Sequence, residues 1–203
     1  GGIRQDPTRG MVEVVADTGK SEYKGMYFTL RKRYSHGWSL DVTYTLGNGK
    51  SNTEFMDYVD SYEEDGWERK YGPSSSDARH TISASGMVDL PLGFQFSGIV
   101  FFRSALPWTA YYGYDENRDT LWSDYLEYNR NSRRGFNHFW INARISKFFN
   151  VDPLRLHLFV EVYNLTNHTN FIAISPNQNS EGFGNPTQAM DPRQIQLGIR
   201  VDF

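Results

Sequence analysis

Residues 194–203 alternate between apolar and polar side chains without exception. Every second residue is apolar: Ile195, Leu197, Ile199, Val201 and Phe203. The residues between them are polar or small: Gln194, Gln196, Gly198, Arg200 and Asp202. A repeat of two residues indicates a β-strand whose two faces meet different surroundings, because successive side chains of a strand point to opposite sides. The run is also about as long as a tilted strand must be to cross a lipid bilayer, ~9–11 residues.

The same alternation recurs along the chain and predicts about eight strands in all. Residues 154–163 carry it as clearly, with Leu154, Leu156, Leu158, Val160 and Val162 on one face. The other predicted strands are residues 26–31, 38–46, 81–90, 94–103 and 139–146, with a less regular piece at 11–16. Ile99 and Phe101 make the second face of their strand less polar than the others.

The links between these strands alternate between short and long. Residues 34–37, 91–93 and 150–153 are short and contain Gly, Pro or Asn, as hairpin turns do. Residues 48–78, 105–137 and 166–192 are long and polar. Such long loops are uncommon in compact soluble domains, whereas outer-membrane barrels combine short periplasmic turns with long extracellular loops. The order therefore predicts a C-terminus on the periplasmic side of the bacterial outer membrane.

A soluble β-sandwich would also show alternating strands and is the alternative at this point. Strand length, loop asymmetry and aromatic residues near strand ends, which are predicted to form a girdle at the membrane interface, favour the membrane. Those aromatic residues are Tyr34, Trp38, Trp108, Phe148 and Phe149. The predicted fold class is all-β, built of antiparallel transmembrane β-barrel strands.

Composition narrows the class of protein further. The 203 residues include no cysteine, so neither a disulfide framework nor a thiolate metal site is available. The net charge is −3, without a polybasic stretch, so nucleic acid is not an expected partner. The chain opens Gly1-Gly2-Ile3-Arg4, without the charged start and apolar run of an export signal. We therefore expect residues 1–203 to be the C-terminal segment of a longer barrel domain.

Short phrases of the sequence add to this pattern. They are EYKGM at 22–26, LRKRYSHG at 30–37, YTL at 44–46, DARH at 77–80, ASG at 84–86, LPLG at 90–93, FRSALPWT at 102–109, RNSRRG at 130–135, NARISK at 142–147, EVYNLTNHTNF at 161–171 and DPRQIQ at 191–196. Each phrase alone is weak evidence. The ordered set covers nearly the whole chain and resembles the barrel of the Oar-like TonB-dependent outer-membrane receptors.

The resemblance implies a receptor that binds a bulky ligand and imports it across the outer membrane. It implies a 22-stranded barrel with a plugged lumen, of which this chain holds the last strands. The implied partners are outer-membrane lipid, the remainder of the same barrel and its plug, and an energy-transducing periplasmic protein that contacts the absent N-terminal part. The terminal Phe203 resembles the signal read by the barrel-assembly machinery, although an aromatic residue there would also suit an interfacial anchor.

Two other functions are open on the sequence. Eight strands can close a small barrel by themselves, which would give an autonomous outer-membrane protein with a structural or passive-pore role. An outer-membrane hydrolase would need paired carboxylates or an Asp–His pair around a water molecule. Asp77 and His80 come closest, but polar residues at strand ends are commonly this near in sequence. We therefore expect no enzymatic activity and no catalytic residue.

Ligand contact is expected in the loops, because a rigid barrel with long loops presents recognition surfaces there. Aromatic side chains with polar tips suit sugars, peptides or aryl siderophores equally. The candidate ligand-binding residues are Trp67, Trp108, Tyr111, Tyr112, Tyr114 and Trp122. Loop packing and interfacial anchoring are the alternative roles for the same residues.

A second set of candidates is predicted to face the lumen and the plug: Arg103, Arg144, Arg155, Glu161 and Arg200. These residues occupy the polar positions of their alternating strands. The alternative is a solvated lumen in which charges pair across neighbouring strands.

One loop motif suggests a calcium site. Asp115, Asn117 and Asp119 offer oxygen ligands at the first, third and fifth positions of a calcium loop. Thr120 replaces the glycine expected at the sixth position, and Leu126 stands where a bidentate glutamate belongs. A solvated acidic turn is the alternative, and no other cofactor is expected.

Overall fold

The computed structural model describes residue 17 and residues 19–53, 70–116 and 124–203. Its long strands are β1 (Ser21–Ser35), β2 (Trp38–Ser51), β4 (His80–Leu90), β5 (Phe94–Arg103), β8 (His138–Val151), β9 (Leu154–Tyr163) and β12 (Gln194–Asp202). The short strands are β3 (Gly72–Pro73), β6 (Pro107–Trp108), β7 (Arg133–Arg134), β10 (Phe171–Ile174) and β11 (Pro186–Ala189). The strand predicted at 11–16 lies outside the described residues. Within the described ranges no helix is long and apolar enough to cross a lipid bilayer.

The long strands form one antiparallel sheet in the order β1-β2-β4-β5-β8-β9-β12, with β3 added beside β2. Each long strand pairs with the long strand that follows it in the chain. The prediction of an all-β, antiparallel fold is confirmed. Among the described strands β1 and β12 lie at the two ends of the sheet, and each has a single long neighbour.

The register of the sheet confirms that the alternating rows share a face. One continuous row of cross-strand partners crosses β2, β4, β5, β8, β9 and β12: Trp38, Val88, Phe96, Ile145, Val160 and Leu197. Every member of this row is apolar. We call the face that carries this row the apolar face, and the opposite one the polar face.

Three tight turns join the long strands at one end of the sheet, which we call the turn end. The β1–β2 turn is made by His36 and Gly37, with φ angles of 53° and 79°. The β4–β5 turn is made by Pro91, Leu92 and Gly93, the last two with φ angles of 64° and 74°, and the β8–β9 turn contains Asp152 and Pro153. The predicted positions of all three turns are confirmed.

The described parts of the long links contain more regular structure than their polar sequences predicted. Strand β2 continues to Ser51, where β3 pairs with it. Strands β6 and β7 form a ribbon within residues 105–137, and β10 and β11 form another within 166–192. Elements of two to four residues are too short to produce a recognisable alternation, so the sequence pattern missed them.

The sheet has little buried apolar surface of its own. The apolar face leaves Leu197 76% and Ile199 71% exposed. Among the described residues the buried hydrophobic side chains are Ala110 and Tyr125, and both belong to loops. A face that exposes this many large apolar side chains requires an apolar environment or partner.

Aromatic rings cover glycines at two places in the sheet. Phe159 of β9 lies over its cross-strand partner Gly198 of β12, and a Cβ atom there would clash with the ring. The ring of Tyr23 lies against Gly25 and Gly47 in the same way. Such contacts compensate for the side chain that glycine lacks and tie neighbouring strands together.

Candidate functional site

The five charged residues predicted to face the lumen all lie on the polar face. Arg144 stands opposite Glu161, and Glu161 stands opposite Gln196. Arg155 and Arg200 stand opposite Asp202 and His157 near the turn end, and Arg103 lies at the other end of the face. The sheet therefore brings them onto one surface, although not into one cluster.

Charges on the polar face pair across neighbouring strands. Arg144 Nη1 lies 3.3 Å from Glu161 Oε1, and its guanidinium stacks 3.8 Å above the ring centroid of Phe159. Arg31 of β1 pairs in the same way with Asp41 of β2. Opposite charges placed directly across a ladder support the pairing of their strands.

Two aromatic residues predicted for a membrane-interface girdle lie elsewhere. The Phe148 ring stacks on His157 of the polar face, with 4.3 Å between centroids. The Tyr34 hydroxyl donates a hydrogen bond to Asp89, because the β1–β2 register shifts between Lys32 and Ser35. The girdle prediction is therefore wrong for Phe148 and Tyr34, since neither contributes to the apolar face as expected.

The polar face is charged but not filled by its own side chains. It borders an open cavity of about 670 Å³ whose lining includes Arg31, Asp41 and Arg144. Ile99, an apolar residue of this face, is 44% exposed. Three shielded nitrogens, Arg103 Nε, Arg144 Nε and His157 Nε2, have no hydrogen-bond partner in the part of the chain that the structure describes. The polar face therefore leaves room for solvent or for further protein.

We call the end of the sheet opposite the turn end the loop end. A buried carboxylate joins two of the long links there. Asp77 Oδ1 accepts a hydrogen bond from the Gly49 amide at 2.7 Å, and Oδ2 pairs with Arg134. Arg134 also donates to the carbonyl oxygens of Asp77 and Ala105. The Asp77 side chain is 1% exposed. The links after β2 and β5 are therefore fastened to each other by one carboxylate and one guanidinium.

The link after β9 is fastened to the same assembly through Tyr111. Its amide donates to the Pro176 carbonyl, and its carbonyl accepts from the Gln178 amide, both at 2.9 Å. Its ring packs against Tyr125, with 5.9 Å between centroids. The described parts of the three long links thus form one hydrogen-bonded loop assembly, which sequence reasoning did not predict.

The candidate ligand-binding aromatics divide into packed and exposed residues. Trp108 is half-buried against Phe183, with the Arg133 guanidinium 5.5 Å from its ring. Tyr112 packs beside Tyr114, which is 42% exposed. A hydrogen bond to Glu116 raises the pKa of the Tyr114 hydroxyl. Trp67 and Trp122 lie outside the described residues.

The Asp–His pair considered for hydrolysis is not formed. Asp77 binds Gly49 and Arg134, whereas His80 Nδ1 lies 2.9 Å from the Tyr44 hydroxyl. Both side chains thus have structural partners at the loop end.

Of the calcium candidates only Asp115 is described, and Asn117 and Asp119 lie outside the described residues. Within the described ranges no group of three His, Asp or Glu side chains could hold a metal ion. If these three residues bind calcium, adding it should slow proteolysis within residues 105–137, because ligation would order the acidic turn. Asp115→Ala should remove the protection, while the control Asp191→Ala should keep it. Equal digestion rates with calcium and with a chelator would leave a solvated turn.

Sequence reasoning did not identify two lysines that lie on the apolar face. Lys32 and Lys147 occupy apolar-row positions of β1 and β8, opposite Leu40 and Leu158. Their place in the alternation could have revealed them, since each interrupts an otherwise apolar row. Lys147 and Leu158 lie in one cross-strand row near the turn end. The next apolar row, which contains Val160 and Leu197, lies further from the turn end.

An antiparallel sheet with bilayer-length strands, an exposed apolar face, a charged opposite face and loops gathered at one end is the arrangement of a transmembrane β-barrel. The chain belongs to the family of outer membrane β-barrel domains, whose model matches residues 2–129. No curated protein matches the chain. The apolar face is accordingly the lipid-facing one, and the outer membrane is where the protein resides.

Proposed function

We propose that the chain forms part of a TonB-dependent receptor, which binds a bulky ligand at the cell surface and imports it through a plugged barrel. The ordered phrases that resemble the Oar-like receptors support this reading, as does membership of the outer membrane β-barrel family. The short turns then face the periplasm, together with the C-terminus. The proposal assigns no catalytic step to the chain, and an energy-transducing partner acts through the plug.

The unfilled polar face is the observation that carries the proposal. The interior of a closed eight-stranded barrel is just wide enough for its own side chains to fill. Here Ile99 is 44% exposed on that face, beside an open cavity of about 670 Å³. A plug in a wide lumen would cover this surface and fill the open space beside Ile99.

Ligand contact is proposed at the loop assembly. Tyr114 and Tyr128 are 42% and 67% exposed, so they present rings and hydroxyl groups to solvent. The buried Asp77–Arg134 pair and the Tyr111 hydrogen bonds hold the surrounding backbone. A held backbone with exposed aromatic side chains suits recognition of a large ligand.

Site-specific photo-crosslinking in intact cells tests the plug. A photoreactive residue at Ile99, on the polar face, should capture a polypeptide segment from outside the sheet. The same residue at Val100, the next position on the lipid-facing side, is the matched control and should capture lipid. A probe at Ile99 that yields no protein adduct, in a barrel that assembles normally, would contradict the plug and favour a small passive pore.

A second test separates a partial barrel from an autonomous one. Strands β1 and β12 each leave one edge without a long neighbour among the described strands, and unpaired backbone groups are costly in lipid. We therefore expect the isolated 203 residues not to refold in detergent into a heat-modifiable, protease-resistant monomer. Recovery of such a monomer would instead support the autonomous small barrel.

A further inference from the structure

Lys147 is a cation on the lipid-facing surface with an unusual setting. It stands opposite Phe94, the first residue after the β4–β5 turn, so it lies close to the turn end. Its ammonium lies 4.4 Å from the Phe94 ring centroid and 5.4 Å from that of Phe149, and it donates to the Leu92 carbonyl. Lys147 forms no ion pair within the part of the chain that the structure describes.

An apolar groove begins beside this ammonium. It has a volume of about 410 Å³ on the lipid-facing surface, across β5, β8, β9 and β12. The side chains of this surface that line it are Phe94, Ile145, Lys147, Leu158, Val160, Leu197 and Ile199. Lys147 is therefore the one charged residue among these groove-lining side chains, and it lies at the turn end of the sheet.

Lys32 repeats the local arrangement on β1. Its ammonium lies 4.0 Å from the Trp38 ring centroid and donates to the carbonyls of Ser35 and Trp38. At the loop end, by contrast, the Lys24 ammonium is neutralised by Glu22 at 2.5 Å. The two turn-end lysines thus keep positive charge at one membrane boundary.

We propose that the groove beside Lys147 binds an anionic phospholipid, with its phosphate at the ammonium and an acyl chain along the groove. Lysine near a membrane boundary keeps its charged end in the headgroup region while its stem stays in lipid. An anionic headgroup complements this charge, whereas a zwitterionic one does so less well. The binding site needs only the lipid-facing surface and is independent of ligand import.

Native mass spectrometry of the protein purified from outer membranes tests the site. Phosphatidylglycerol added to the detergent-solubilised protein should be retained in preference to phosphatidylcholine. Lys147→Gln should weaken phosphatidylglycerol binding about fivefold, the effect of one lysine near an anionic surface. Lys50→Gln makes the same charge change at the loop end and should leave binding unchanged.

A second variant tests the groove without touching the charge. Leu197→Trp places a larger apolar side chain on the lipid-facing surface and should also reduce retention by occupying the groove. Heat-modifiable migration of each variant checks that its barrel is folded. Four results would overturn the proposal: unchanged selectivity in Lys147→Gln, equal retention of both phospholipids, displacement of the lipid by inorganic phosphate alone, or preferential capture of lipopolysaccharide.

Discussion

Arginine in place of Leu197 or Val42 should lower the free energy of unfolding of the membrane-inserted barrel by roughly 2–4 kcal/mol. Both residues are on the lipid-facing surface among apolar partners, with Val160 beside Leu197 and Leu30 and Ala84 beside Val42. A guanidinium there must lose its hydration or distort the bilayer. Reversible urea denaturation in lipid vesicles measures the change.

The matched controls are arginine at the neighbouring positions of the polar face. Gln196 stands opposite Glu161, and Thr43 stands opposite Thr29 and Ser83. Arginine at either position should be mild, because this face already carries guanidinium groups and borders an open cavity. Equal losses at Leu197 and Gln196 would mean that the two faces are assigned wrongly.

Asp77→Ala should loosen the loop assembly while leaving the barrel inserted. The substitution removes the acceptor for the Gly49 amide and leaves Arg134 without its carboxylate. Hydrogen bonds to a charged group contribute about 1.5–3 kcal/mol each, and partial exposure of Arg134 reduces the contribution of the ion pair. We expect the Gly49 amide to exchange its hydrogen about thirtyfold faster, which corresponds to ~2 kcal/mol of local stability.

Asp191→Ala, in the link after β9, is the control and should leave exchange at Gly49 unchanged. Asp77→Asn separates the two contacts, because its amide oxygen still accepts from Gly49 but its charge is lost. Unchanged exchange at Gly49 in Asp77→Ala would show that the carboxylate does not fasten these links.

The sheet could be predicted from the sequence because one physical rule governs every long strand. Lipid on one side and a polar lumen on the other force an alternation that Trp38, Val88 and Leu197 all obey. The rule fails where the backbone departs from regular pairing. Tyr34 reaches Asp89 after the register shift beyond Lys32, which no repeat of two residues could reveal.

The candidate site was predictable only in part. The strand positions of Arg144 and Glu161 were enough to assign both to the polar face. The loop assembly depends instead on single contacts between distant residues, such as Asp77 with Arg134, which are 57 positions apart. Such contacts leave no periodic signal in the sequence. The sequence therefore suggested exposed aromatic surfaces in the loops, whereas the structure shows that some of these aromatics, such as Trp108, are packed.

The Phe159–Gly198 contact bears on how β12 is aligned when the barrel assembles. A slip by one residue would turn the whole apolar row inward and is excluded by polarity alone. A slip by two would keep every apolar side chain in lipid, and the link 164–193 is too long to set the alignment as a tight turn does. After such a slip Gln196 or Arg200 would stand opposite Phe159 on the polar face. Each has a side chain in the space that the Phe159 ring occupies above Gly198. One glycine thus selects a single alignment among those that polarity permits, and misaligned insertion intermediates are penalised by shape.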